Sequence, residues 1–148
     1  MADNNLMDIL LPYMQSIEIL GDNGEFVEVL AKFDSGADNC SLDETTAQKL
    51  GLNKNFIAEA DIINANGTDK RPIIEIMLKL KDNDIKIKTL ATLADRSELD
   101  SVLLIGRNAL QPTQDLRFLI NPKSAALKKT ANMLKNIAKK LQGDVTDD

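Results

Sequence analysis

Ala31-Lys32-Phe33-Asp34-Ser35-Gly36-Ala37-Asp38 is the stretch whose reading decides the fold, because it runs an apolar segment straight into turn formers with a carboxylate at the junction. Residues 27–33 read as a strand, and residues 34–40 force a sharp bend after it. Gly36 lets the backbone come close, and its N–H is in reach of the Asp34 carboxylate. Asp-Ser-Gly alone is most simply a solvent-facing turn, so the surrounding pattern has to decide.

Upstream, Met14 to Leu20 and residues 25–33 are two strand-like runs separated by Gly21-Asp22-Asn23-Gly24, a hairpin turn in which Gly and Asn accept positive φ. Residues 1–12 read as a flexible lead-in. Downstream, Ser41 and Glu44 have capping-box spacing, Ala47 and Leu50 form an apolar side, and Gly51 closes a short helix. Residues 56–63 and 73–80 flank an Asn66-Gly67 hairpin signal that projects as a flap. Further runs at 85–93, 102–105 and 118–120 complete a mostly-β barrel or sandwich, with residues 13–122 as its domain.

The tail is different. Residues 123–148 carry six Lys and three Asp, leaving the rest of the chain at −8 of the total −5. Leu127, Ala131, Leu134, Ala138 and Leu141 share one face of a helix, an amphipathic segment that docks on its own body or a second subunit, or else meets a membrane surface or partner.

Composition removes several classes of function. With no His and only Cys40, the chain cannot build a Ser-His or Cys-His pair or a His/Cys zinc site. Cys40 reads as a small buried residue, with no base to activate it. Ser35 and Lys32 lack the spacing of a Ser-Lys pair. The acidic charge and the 3% aromatic content argue against nucleic acid. The absence of a disulfide pair, a basic-apolar leader and a long apolar span leads us to expect a cytoplasmic protein without integral membrane association.

What remains for metal-free hydrolysis is carboxylate chemistry, and Asp34 is the outstanding carboxylate. Two carboxyl groups sharing a proton can serve as base toward a water and acid toward a leaving nitrogen. The chain has one such turn, so the second carboxyl must come from another copy, with a two-fold axis between them.

Phe33-Asp34-Ser35-Gly36-Ala37-Asp38 resembles the first signature of retropepsin-like aspartic proteases, and Leu104-Ile105-Gly106-Arg107-Asn108-Ala109-Leu110 resembles their second, 72 positions from Asp34 to Gly106. The resemblance implies a retropepsin-like half-barrel, a closed β-barrel subunit with a flap hairpin and one or two short helices, here followed by the C-terminal helix. A closer resemblance is to the RimB-type family, often labelled ATP-dependent zinc proteases. It is carried by residues 31–37, Arg71-Pro72-Ile73-Ile74, Leu93-Ala94-Asp95-Arg96-Ser97, residues 102–110 and Phe118-Leu119-Ile120, spanning residues 27–122. The zinc label does not suit a chain without His, and no metal or other cofactor is expected.

By this resemblance Asp34 is the catalytic aspartate, Ser35 supplies a hydroxyl that bonds across the dimer, and Gly36 and Ala37 line the cleft. Asn66 and Gly67 form the flap tip. Asp38 and Arg107 form a supporting ion pair that holds the active-site loop against a C-terminal helix, with Gly106 in the same supporting turn. RimB-type members more often carry a basic residue at the position of Asp38, and an aromatic and a proline where this chain has Asp100-Ser101. Asp95-Arg96-Ser97 reads either as a charged loop with a local ion pair or as a contact to substrate flanks. The implied function is a homodimeric endopeptidase acting on protein or peptide; the alternative is a non-proteolytic dimeric binding or assembly module of the same fold, in a phage or a bacterial modification pathway.

Overall fold

The computed structural model describes residues 7–81, 84–112, 116–121 and 133–141. Within them the chain forms β1 (Met7–Pro12), β2 (Met14–Leu20), β3 (Phe26–Phe33), β4 (Cys40–Asp43), α1 (Glu44–Lys49), a 3-10 turn (Leu52–Asn55), β5 (Phe56–Asn64), β6 (Gly67–Lys79), β7 (Lys86–Ala94), β8 (Leu103–Ile105), β9 (Leu116–Asn121) and a helix, α2, at 133–141. The mostly-β class expected from the pattern of short apolar runs is the class found.

Six strands close on themselves. The sheet runs β2-β3-β8-β4-β7-β6, and β6 returns to β2 through Glu18↔Lys79 and Ile19↔Leu78, so the barrel has no free edge there. β5 pairs only with β6 and extends outward as a long hairpin. Alternation along each strand supplies the core: Ile17 and Ile19 from β2, Ala31 and Phe33 from β3, Ile74, Ile76 and Leu78 from β6 all point inward. Truncating any of the large ones to Ala costs about 2–5 kcal/mol.

Two pairings in this barrel are parallel, β3 with β8 and β4 with β7. The first matters for function, because it lays Ala31, Lys32 and Phe33 beside Leu103, Leu104 and Ile105, so that the chain leaves β3 and β8 side by side.

Several local expectations change. Met7–Pro12, in the segment read as a lead-in, is a strand that pairs in parallel with β9 and carries Asp8 opposite Arg117. Ser41 does not cap the helix, because it lies within β4 opposite Thr92 and Leu104; Asp43 caps instead, its carboxylate accepting the Thr46 N–H at 3.2 Å. Gly51 follows the last helical residues with φ 72, the left-handed position that favours glycine. β6 starts at Gly67 instead of Ile73, since the hairpin continues by backbone pairing through exposed polar residues that carry no apolar alternation. Residues Leu127 and Ala131 of the apolar tail stripe lie outside the described residues. In α2 the stripe continues with Leu134, Ala138 and Leu141, all exposed, as is the neighbouring Ile137, so these side chains are not docked on the barrel.

Candidate active site

Phe33 is the last buried residue of β3, and the chain leaves the barrel at Asp34. The Asp34 N–H donates to the Ile105 carbonyl at 2.9 Å, so the parallel ladder with β8 continues one residue into the turn. The turn then closes when the Ala37 N–H donates to the Asp34 carbonyl at 3.2 Å. Asp34 is half-buried, and its Oδ1 accepts the Gly36 N–H at 2.8 Å, the bond that the glycine allows. Ser35 and Gly36 are exposed beside it.

The second signature seats directly on the first. The Arg107 N–H donates to the Ala37 carbonyl at 2.8 Å, and the Asn108 N–H to the Asp38 carbonyl at 3.1 Å. Gly106 sits against this backbone so closely that a Cβ there would lie 2.5 Å from the Asn39 oxygen and 2.9 Å from the Ala37 oxygen. Asn108 completes the seam: its Oδ1 accepts the Cys40 N–H at 3.0 Å, and its Nδ2 donates to the Leu90 carbonyl at 2.8 Å. Cys40 is buried, and that burial pushes its thiol above the ordinary cysteine value.

Asp38 and Arg107 form an ion pair, both side chains more than half exposed. The pair joins the Asp34 loop to the tight turn 107–110, not to a helix, and α2 lies elsewhere in the chain. Asp34, Ser35, Gly36, Ala37, Asp38, Gly106 and Arg107 therefore form one unit. Asn66 and Gly67 belong to another element, the end of the β5–β6 hairpin, where Asn64 pairs with Gly67 and Gly67 takes φ 119.

Sequence reading missed the groups around Lys32. This half-buried residue precedes Asp34 by two, and its ammonium lies 5.2 Å from the centre of the Tyr13 ring and 4.0 Å from Asp100. The Tyr13 hydroxyl raises Lys32 above the ordinary lysine value, with the Asp100 and Asp34 carboxylates adding to the effect against burial. It also missed that Arg96, read as a surface charge, is turned inward and 7% exposed. No signal in the linear sequence separates such an arginine from a solvated one. Among the described residues, no cluster of His, Cys, Asp or Glu could hold a metal ion.

No protein-family model matches the chain, and no curated protein sequence matches it. Among solved structures, it is similar to the simian foamy virus protease, with 16% identity over 65% of this chain and 91% of that one, at a TM-score of 0.46. A retropepsin-like aspartic protease from Rickettsia conorii shows 23% identity over 66% and 79%, at 0.44. A Legionella pneumophila protein of unknown function shows 18% identity over 76% and 92%, at 0.48.

Proposed function

We propose that the chain is a retropepsin-like aspartic endopeptidase of the RimB type, acting as a homodimer with one Asp34 from each copy. The observation that carries this is the backbone interlock of the two signatures, which holds a half-exposed Asp34 at the mouth of a closed barrel through Ile105, Ala37 and Gly106. An isolated turn needs no such second clamp.

Two Asp34 carboxyls brought to about 3 Å cannot both ionise, so the pair keeps one proton. The ionised member takes a proton from a bound water as it attacks the peptide carbonyl, and the protonated member supplies the departing nitrogen. An apolar surface stands next to this loop and suits a second copy: Ser35 shares a shallow groove with Leu110, Phe118 and Leu119, while Leu10 and Leu119 are 65% and 40% exposed.

The test is cleavage of a diverse peptide mixture by the wild type and by Asp34→Asn, read by mass spectrometry from about pH 4 to pH 7, where one proton is shared. Cuts made only by the wild type support the peptidase. The exposed amphipathic α2, with Lys135, Lys139 and Lys140 opposite its apolar side chains, favours the second reading, a dimeric binding module for an acidic partner. A demonstrably dimeric wild type that makes no Asp34-dependent cuts selects that module instead.

A further inference from the structure

Lys32 precedes Asp34 by two residues, and the two share a side of β3. Phe33 between them is buried in the core. The bond from the Asp34 N–H to the Ile105 carbonyl carries the ladder, and with it the strand alternation, one residue past Phe33. That alternation sets the Cα atoms of Lys32 and Asp34 roughly 7 Å apart on one face. A lysine stem can swing its charge out to water. Here it is held: the side chain is 26% exposed, and its ammonium lies 5.2 Å from the Tyr13 ring centre and 4.0 Å from Asp100. Tyr13 is itself fixed, since its carbonyl accepts the Phe33 N–H at 3.0 Å.

The charges around this ammonium come from three segments. Opposite Lys32 on the neighbouring strands stand Met14 of β2 and Leu104 of β8, both uncharged. Further back along β3, Glu28 is paired with Lys81, and beyond Asp34, Asp38 is paired with Arg107. Among the described residues, the titratable groups that act on Lys32 are Tyr13, Asp100 and Asp34. Asp100 is 57% exposed, so water screens it more than the half-buried Asp34. The Tyr13 hydroxyl first, then the two carboxylates, hold Lys32 above the ordinary lysine value, and it stays a cation wherever a carboxyl pair can work.

We propose that Lys32 is a positioning residue for the proton of the Asp34 pair: its fixed charge sets the pH window in which the two carboxyls hold one proton between them, and Asp100 offsets part of that charge. This rests on the peptidase reading above. A cation favours the ionised form of a nearby carboxyl, so the pair loses each of its protons at lower pH with Lys32 present than without it. Cleavage needs the singly protonated pair, so both limbs of its pH profile move together. Lys32 touches neither the water nor the peptide in this role; it acts through Asp34.

Three variants test it, by kcat/KM for a cleaved peptide from about pH 3 to pH 8, at concentrations where sedimentation shows the dimer. Lys32→Met should move both limbs up by about 0.5–1 pH unit. Lys32→Arg keeps the charge and should keep the limbs within about 0.2 unit of wild type. Asp100→Asn, at an exposed position, should move them the other way, down by about 0.3 unit, because Lys32 then acts undiminished. Damage to the fold or the dimer lowers the height of the profile and leaves its limbs in place, so the limbs report the charge and not the packing. Limbs of Lys32→Met within about 0.2 unit of wild type overturn the proposal, as does an upward shift in Asp100→Asn. Should Lys32→Met not fold, Asp100→Asn decides alone: a downward shift supports the role of Lys32, and unmoved limbs overturn it. A wild type that cuts nothing overturns the peptidase reading, and the role of Lys32 with it; that outcome is distinct from an active wild type whose limbs ignore both charges.

Discussion

Two loops flank β8, and they are held in opposite ways. The Asp34 loop is fixed by backbone: Asp34 to Ile105, Ala37 to Arg107, Asp38 to Asn108, with Gly106 pressed against residues 37–39. The side-chain ion pair it also carries, Asp38 with Arg107, lies in solvent. The loop 95–101 is fixed by buried side chains, Arg96 and Asp43, whose bonds run to Ser101 and Thr46. A backbone-held loop leaves its side chains free for chemistry. A side-chain-held loop depends on two charges that can be altered one at a time, by mutation or by pH.

The contrast breaks most severely at Gly106. A methyl group there meets the Asn39 oxygen at 2.5 Å, its carbon at 2.7 Å and the Ala37 oxygen at 2.9 Å, and all three belong to backbone. No side chain can swing away, so the Asp34 loop must move. Gly106→Ala should cost about 3 kcal/mol in urea unfolding, the upper end of overpacking penalties, and should abolish Asp34-dependent cleavage even where the protein remains folded. Wild-type stability together with wild-type cleavage would show that the two signatures are not interlocked.

The side-chain-held loop should respond less strongly and with a pH signature. In Asp43→Asn one carboxylate oxygen becomes an NH2 group facing a donor, either the Arg96 N–H or the Thr46 pair, for a loss of about 1–2 kcal/mol near neutral pH. Burial raises the Asp43 carboxyl, but the bonds from the Arg96 N–H and from Thr46 outweigh it and hold the group below its ordinary 3.8. A carboxyl depressed on folding adds stability that is present above the unfolded value and lost as pH falls through the folded one. The gap between wild type and Asp43→Asn should therefore be full at pH 7 and shrink below about pH 4, read by urea unfolding at each pH. A gap that stays constant down to pH 2 would remove the charge of Asp43 from the account.

How much of this was legible in the sequence follows the same division. Gly106 and the Asp38–Arg107 pair, 69 positions apart, were expected only from the resemblance to the two signatures, whereas the Asp34 turn was readable because a glycine requirement and a strand-to-turn junction are local properties, visible over a few residues. The barrel strands were readable for the same reason, through their period of two. Arg96 was not, because its bonds run to Ser101 and to Asp43 at the end of β4, and β4 is brought there by its pairings with β7 and β8. Lys32 was missed for a related cause: its neighbours Tyr13 and Asp100 come from two other segments. Ser41 misled as a helix cap because Ser-x-x-Glu spacing is equally compatible with a strand that ends two residues later at Asp43. The strand at Met7–Pro12 gave little signal because its partner is β9, more than a hundred positions away.

The smallest effect should come from the contact that looks most specific in the sequence. Asp38 and Arg107 are 75% and 56% exposed, so water and salt screen their attraction, and pairs of this kind contribute about 0–1 kcal/mol. Asp38→Ala removes the carboxylate but leaves the Asp38 carbonyl, which still accepts the Asn108 N–H, and the Ala37 carbonyl, which still accepts the Arg107 N–H. The loop keeps every backbone bond that orients Asp34. Asp38→Ala should therefore shift the urea midpoint little, by about 0.5 kcal/mol in stability, and leave cleavage within about twofold of wild type, with the residual difference fading in high salt. A loss approaching that of Gly106→Ala would place the ion pair, not the backbone seam, in charge of the Asp34 loop, and the division between the two loops would then fall.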